Sequence, residues 1–176
     1  GGRQERARRG GTENVPGIIG LGRAAELALA RMETALPRIR DLRDRLERGI
    51  VQRVADCWAA GDPHARLGNT ATLVFDRAEA GPILEQLDRA GIAAASGSAC
   101  ATGSVEPSHV LRAMGVPFTA IHGAVRFSLS HHTDDADIAR VLDVLPGIVD
   151  RARAVSLFAR EGEPAPAESP ARTRIN

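Results

Sequence analysis

The sequence predicts a small α/β domain. Segments with helical spacing alternate with short segments of two-residue alternation, and the clearest helical period, residues 138–152, follows directly on a clear alternating one, residues 122–130. With 176 residues, 43% apolar content and 26% charge, the chain has enough material for one real core and is not of disordered composition.

The first residues, GGRQERARRGGTEN, are rich in glycine and arginine without an apolar period and are expected to form a loop. Pro16 suits a first helical turn. Ile18, Ile19, Leu21, Ala25, Leu27, Ala28 and Met32 then form a stripe too wide for a fully exposed helix, so this helix is expected to be largely buried. Pro37 is expected to interrupt it. Leu36, Ile39, Leu42 and Leu46 carry a narrower stripe between arginines and aspartates, predicting a second, surface helix that stops at Gly49. IVQRVADCWA, from Ile50, reads as a strand, AGDPHARLGN as turns, and TATLVF, residues 70–75, as another strand.

Residues 79–90 predict a helix closed by Gly91, and a short helix is expected between Pro107 and Gly115. In HGAVRFSLS, residues 122–130, Val125, Phe127 and Leu129 fall on one face and Ala124, Arg126 and Ser128 on the other, as in a half-buried strand. The last helix carries Ile138, Val141, Leu142, Leu145, Ile148, Val149 and Ala152, with Thr133 as expected N-cap and a kink expected at Pro146. From about residue 160 the chain is proline-rich and polar, an expected tail.

Composition narrows the function. The 23 basic residues nearly balance the 22 acidic ones, and no basic face is interleaved with aromatics, so a nucleic-acid partner is not expected. No signal-peptide pattern opens the chain, and no apolar run approaches the roughly 20 residues a membrane span needs. The expected location is cytoplasmic, with no membrane partner. Cys57 and Cys100 form neither a disulfide framework nor the spacing of a structural zinc site. All the basic residues are arginine; the sequence contains no lysine.

Cys100 lies in SGSACATGSVEPSHVLRAMG between Gly97 and Gly103, with no large apolar neighbour in sequence. A buried small hydrophobe is the ordinary role of a lone cysteine, but these surroundings present a thiol rather than pack one. A phosphatase-type cradle needs an arginine where Glu106 stands, and a thioredoxin-like pair needs a second cysteine at position 97 or 103. His109, His122, His131 and His132 offer no recognisable context for a cysteine–histidine hydrolase, and His131 and His132, expected to face water, lack the company of metal ligands.

Arg126 is either an arginine on the wet face of an edge strand or a carboxylate clamp. Its same-face neighbours Ala124 and Ser128 are small and leave room above the guanidinium for a bidentate pair. PGIIGLG is not a dinucleotide fingerprint, because its glycine order is wrong and no strand precedes it. Arg3, Arg6, Arg8 and Arg9, followed by Gly10, Gly11 and Thr12, offer an unspecific anion contact.

Taken together, RQERARRGGTENVPGIIGLGRAAELA, SGSACATGSVEPSHVLRAMG and HGAVRFSLS resemble, in that order, the C-terminal half of pyridoxal-phosphate cysteine desulfurases of the NifS/IscS kind, in the aminotransferase class V family. The cysteine loop is similar to that of the group with a long mobile loop. RARAVSLFAREGEPAP resembles the nitrogen-fixation branch. The resemblance implies the C-terminal portion of a fold-type I pyridoxal-phosphate transferase. It would consist of a cofactor-phosphate and dimer-interface loop at 1–15, connecting helices at 16–48, a small α/β domain at 49–158 with a catalytic cysteine loop at 96–108, and a tail at 159–176.

The resemblance further implies that Cys100 is the nucleophile taking sulfur from L-cysteine, leaving L-alanine and an enzyme persulfide. By the same resemblance Arg126 holds the substrate carboxylate, and Thr12 reaches the phosphate of pyridoxal phosphate across a homodimer interface. The implied acceptor is an iron–sulfur scaffold protein, with no intrinsic metal here but with Cys100 able to contact the scaffold's cluster. Gly10, Arg3 and Gly68 stand where relatives of this kind often have serine, glycine and proline. The family's Schiff-base lysine, its ring-stacking histidine and its pyridine-nitrogen aspartate are expected upstream of residue 1. The chain alone is expected to be an inactive enzyme portion, the alternative being a non-catalytic remnant or a partner-binding thiol domain of the same fold.

Overall fold

The computed structural model describes residues 2–96 and 107–158, and resolves them into two compact units, Gly1–Leu36 and Pro37–Asn176. Their elements, in chain order, are helix α1 (Val15–Arg53), strands β1 (Cys57–Ala60) and β2 (Thr70–Phe75), helix α2 (Ala80–Arg89), strand β3 (Ala95–Ser96), short helices α3 (His109–Ala113) and α4 (Phe118–Ile121), strand β4 (Ala124–Ser128) and helix α5 (Asp135–Ala154).

In the first unit a loop with a short turn at Glu5–Ala7 leads into α1, where the Asn14 Oδ1 accepts the Gly17 N–H at 3.1 Å and satisfies one of the free donors of the first turn. The apolar stripe of this half is not buried as expected: Ile18, Ile19 and Leu21 stand exposed. No described residue covers them.

The second unit holds a four-stranded antiparallel sheet in the order β1-β2-β4-β3. Period-two alternation sends Ala71, Leu73 and Phe75 of β2, with Val125 and Phe127 of β4, to one face, and all are buried. The apolar stripes of α2 and α5 cover that face, joined by a hydrogen bond from Arg151 Nε to Gln86 Oε1 at 2.6 Å. The last turns of α1 share in this core through Ile39, Leu42, Leu46 and Ile50, so this part of the chain is buried rather than the expected surface helix.

The narrow stripe misled because charge follows it inside. Glu47 is 1% exposed and Arg43 3% exposed, yet Glu47 receives both guanidinium ends of Arg66, and Arg43 donates to the Leu67 carbonyl at 3.2 Å. Paired and hydrogen-bonded charges can lie inside where lone ones cannot.

Pro37 does not interrupt α1 either. Proline removes one N–H, and the carbonyl that loses its partner belongs to Glu33, which is exposed to water. Gly49, the expected stop, lies within the helix, where a Cβ would stand 2.7 Å from both methyl carbons of Leu142 on α5. It permits close helix packing rather than ending a helix. The strand expected from Ile50 begins only at Cys57, after Asp56 takes a left-handed conformation at φ 48°.

Elsewhere pattern and structure agree closely. Strand β2 spans residues 70–75, and Gly91 and Gly115 close their helices at positive φ. The cap of α5 is one residue later than expected. The Asp134 carboxylate accepts the N–H groups of Ala136 and Asp137, while Asp137 accepts the Asp134 N–H and completes a capping box. Thr133 instead accepts the Ser130 N–H. Pro146 lies inside α5. The expected tail lies outside the described residues.

Candidate functional site

Among the described residues, the second face of the sheet is only half covered. Leu111, Val116, Ala120 and Ile121, from α3, α4 and the turn between them, pack on Val74 and Ala124, with Trp58 and Ala60 at the margin. Beyond that cluster, along the same face, come Thr72, Arg126 and Ser128.

Arg126 is therefore on an inner strand, not the wet face of an edge strand. Its register partners are Thr72 on β2 and Ala95 on β3, and its same-strand neighbours on this face are Ala124 and Ser128. All four are small. The guanidinium is exposed, and among the described residues no carboxylate, carbonyl or hydroxyl is bonded to it. A planar, permanently charged fork that is exposed among small neighbours, without a partner among the described residues, is suited to an incoming carboxylate. Thr72 and Ala95 could not be identified from sequence, because the partner across a sheet depends on register and register is settled by the fold.

Two anchors fix the strand carrying Arg126. At its start, a Cβ on Gly123 would lie 2.1 Å from the Phe75 carbonyl oxygen and 2.8 Å from that of Ala78, so only glycine permits this approach, across which the Phe75 N–H donates to the Gly123 carbonyl at 3.2 Å. At its end, the Leu129 N–H donates to the Asn69 carbonyl at 2.8 Å, and Asn69 Nδ2 returns a bond to the Leu129 carbonyl at 3.3 Å. Asn69 ends the segment that Arg66 ties to Glu47. Neither anchor was singled out in the sequence.

Thr12 belongs to the first unit, where it is exposed in the loop preceding α1, next to Gly11 at φ 98°. Arg3, Arg6, Arg8 and Arg9 of that loop are exposed as well. Cys100 lies outside the described residues.

The other thiol is described and is unsuited to nucleophilic work. Burial pushes Cys57 up to about 12, an effect that the charge of Arg153 only partly opposes and that Glu47 adds to. It stays protonated at any physiological pH. His131 and His132 are exposed with ring centroids 3.9 Å apart, and no group of His, Cys, Asp and Glu among the described residues could hold a metal ion. No described helix is long and apolar enough to cross a membrane. A cavity of about 560 Å³ between the end of α1 and α5, lined by Arg45, Arg48, Gln52 and Ile138, does not include Arg126.

A four-stranded sheet filled on one face by helices, with an exposed arginine on the other that has no hydrogen-bond partner among the described residues, defines a small α/β domain. The chain belongs to the aminotransferase class-V family, whose pattern matches residues 3–141. It is 58% identical over 158 residues to a cysteine desulfurase of Gluconacetobacter diazotrophicus, covering 90% of this chain and 40% of that protein. It is 53% identical over 158 residues to the cysteine desulfurase NifS of Azotobacter vinelandii, covering 90% and 39%. Among solved structures, the NifS-like protein from Rickettsia africae superposes with a TM-score of 0.73 at 31% identity, over 85% of this chain and 39% of that one. The chain thus spans about two-fifths of the length of the relatives it matches.

Proposed function

We propose that this chain is the C-terminal, sulfur-accepting portion of a cysteine desulfurase that acts on L-cysteine with pyridoxal phosphate, in the manner of the nitrogen-fixation NifS branch. The observation that carries the reading is Arg126, an exposed guanidinium on an inner strand among small neighbours, without a hydrogen-bond partner among the described residues. In this role it takes the substrate carboxylate in a bidentate pair and fixes the amino acid in register with the sheet.

The residues present suit part of a cofactor site. Thr12 offers an exposed hydroxyl on a glycine-flanked loop for the phosphate, contributed to the second subunit of a homodimer, while the Schiff-base amine must come from outside a chain without lysine. When bound, pyridoxal phosphate supplies the electron sink that labilises the substrate. Cys100, as thiolate, attacks the substrate sulfur. As the new sulfur–sulfur bond forms the carbon–sulfur bond breaks, its electron pair goes to the substrate's β-carbon, which takes up a proton so that alanine can leave, and Cys100 holds the sulfur as a persulfide. From there it passes, in a cytoplasmic setting, to an iron–sulfur scaffold protein. Without the remainder of the fold the chain is inactive.

The test is a chimera joining this chain to the part of the G. diazotrophicus desulfurase outside the match. L-cysteine should yield alanine and a persulfide mapped by mass spectrometry to Cys100, and Cys100→Ser should abolish both while cofactor absorbance remains. A persulfide on Cys57, or turnover surviving Cys100→Ser, would overturn the assignment.

A further inference from the structure

The last rung that ties β4 to β2 is made in part by a side chain. Beyond the Thr70–Ser128 pair the Leu129 N–H donates to the Asn69 carbonyl at 2.8 Å. The Leu129 carbonyl, which a regular ladder would give a main-chain N–H, takes the Asn69 side-chain amide at 3.3 Å instead. The Asn69 Oδ1 is itself held by the Thr70 hydroxyl at 3.2 Å. A strand begins to fray at its last rung, and this one lies just past Arg126 and Phe127. Bonded and unbonded pairs alternate along an antiparallel ladder. With Leu129 bonded to Asn69 and Gly123 to Phe75, Arg126 and Thr72 form an unbonded pair. Strand β2 therefore holds Arg126 only through the rungs on either side.

Asn69 ends the turn-rich stretch from Gly61, a kind of segment that moves unless it is tied down. It is tied from the core. The buried guanidinium of Arg43 donates to the Leu67 carbonyl at 3.2 Å, and the buried Glu47 carboxylate takes both ends of Arg66. A buried ion pair adds little net stability over apolar side chains of the same volume, but a two-pronged one fixes direction as well as distance. We propose that Asn69 is a positioning residue for the carboxylate clamp: backed by Arg43 and by the Glu47–Arg66 pair, it pins the end of β4 and thereby sets where Arg126 presents its fork. The proposal deepens the catalytic reading and rests on it for the ligand. A carboxylate held away from the reacting sulfur is bound alike before and during the chemical step, so a displaced fork weakens binding and leaves the step itself alone.

The experiment measures kinetics in the chimera with the G. diazotrophicus desulfurase, and amide hydrogen exchange in this chain. Asn69→Ala removes the donor, and Asn69→Asp keeps the shape but turns an acceptor toward the Leu129 carbonyl. Both should raise KM for L-cysteine at least about fivefold and leave kcat within about twofold. The Leu129 amide should exchange faster in both, with helical circular dichroism unchanged. Ile83→Val, a loss of core packing in α2, should lower stability and leave KM as it was. Arg126→Ala should raise KM, and adding Asn69→Ala to it should change KM no further, because Asn69 acts through Arg126. Three results would overturn the proposal: unchanged KM in both Asn69 variants, an additive double variant, or unchanged exchange at Leu129. If Arg126→Ala itself left KM unchanged, the carboxylate reading would fall and the clamp with it, whereas an effect of Arg126→Ala without one of Asn69→Ala would sink the positioning alone.

Discussion

Glu47 and Arg66, 19 residues apart in sequence, meet in a two-pronged ion pair at 2.6 and 2.8 Å, with the carboxylate almost wholly withdrawn from water. The pair fastens the turn-rich segment before β2 to the buried half of α1. Breaking it from one side should cost more than removing it whole. Glu47→Ala or Arg66→Ala alone is expected to destabilise the chain by about 3–5 kcal/mol, and the double variant by clearly less than the sum. Urea midpoints of the four proteins check this. Full additivity would mean that the two groups do not act as a pair.

The backbone approach at Gly123 predicts a second loss. Gly123→Ala inserts a carbon where a carbonyl oxygen lies 2.1 Å away, and carbonyl oxygens belonging to the main chain do not swing aside. The expected destabilisation is about 1–3 kcal/mol by thermal or urea denaturation. Gly20→Ala, where the added carbon meets nothing, should be neutral or stabilising.

The thiols should separate by pH. With its acidity set near 12 by burial, Cys57 in the folded chain has about one molecule in ten thousand as thiolate at pH 8, and its alkylation by iodoacetamide should rise roughly tenfold per pH unit from there. Cys100 should be modified first. In guanidinium chloride Cys57 should react as an ordinary cysteine. Rapid labelling of Cys57 in the folded chain at pH 8 would contradict its burial.

For Arg126, in the chimera restored to full length, Arg126→Ala should weaken L-cysteine by about 2–4 kcal/mol in kcat/KM. Arg126→Lys should recover only part, since an ammonium lacks the planar fork. Replacing Ala95, its register partner, with leucine should raise KM while leaving the guanidinium in place. Unchanged kinetics in all three would remove the clamp.

These residues also show what the sequence could and could not convey. Arg126 was identifiable because alternation alone puts it on the face opposite Val125 and Phe127, and both of those are buried. That it lies on an inner strand, beside Thr72 and Ala95, was not legible, since strand order joins segments far apart in the chain. The burial of α1 was inverted because stripe width measures apolar content and not what is available to cover it. The wide half from Ile18 stands exposed among the described residues, and the narrow half around Leu46 gained core space through the pairing of Glu47. Gly49 signalled a helix stop for a similar reason: a glycine set by a neighbouring helix looks, in one dimension, the same as one set by a turn.

The placement of Arg126 on an inner strand also bears on how the sheet forms. In a ladder of period two, a slip of one residue between β4 and its neighbours would carry Arg126 into the layer filled by Phe75 and Leu73 and turn Phe127 out to water. An unpaired guanidinium there would cost far more than the slipped strand could regain. The cation thus serves as a proofreader of pairing: of the alignments open to β4, those that bury it are rejected during folding, and the strand is left in the alignment that leaves the fork outward.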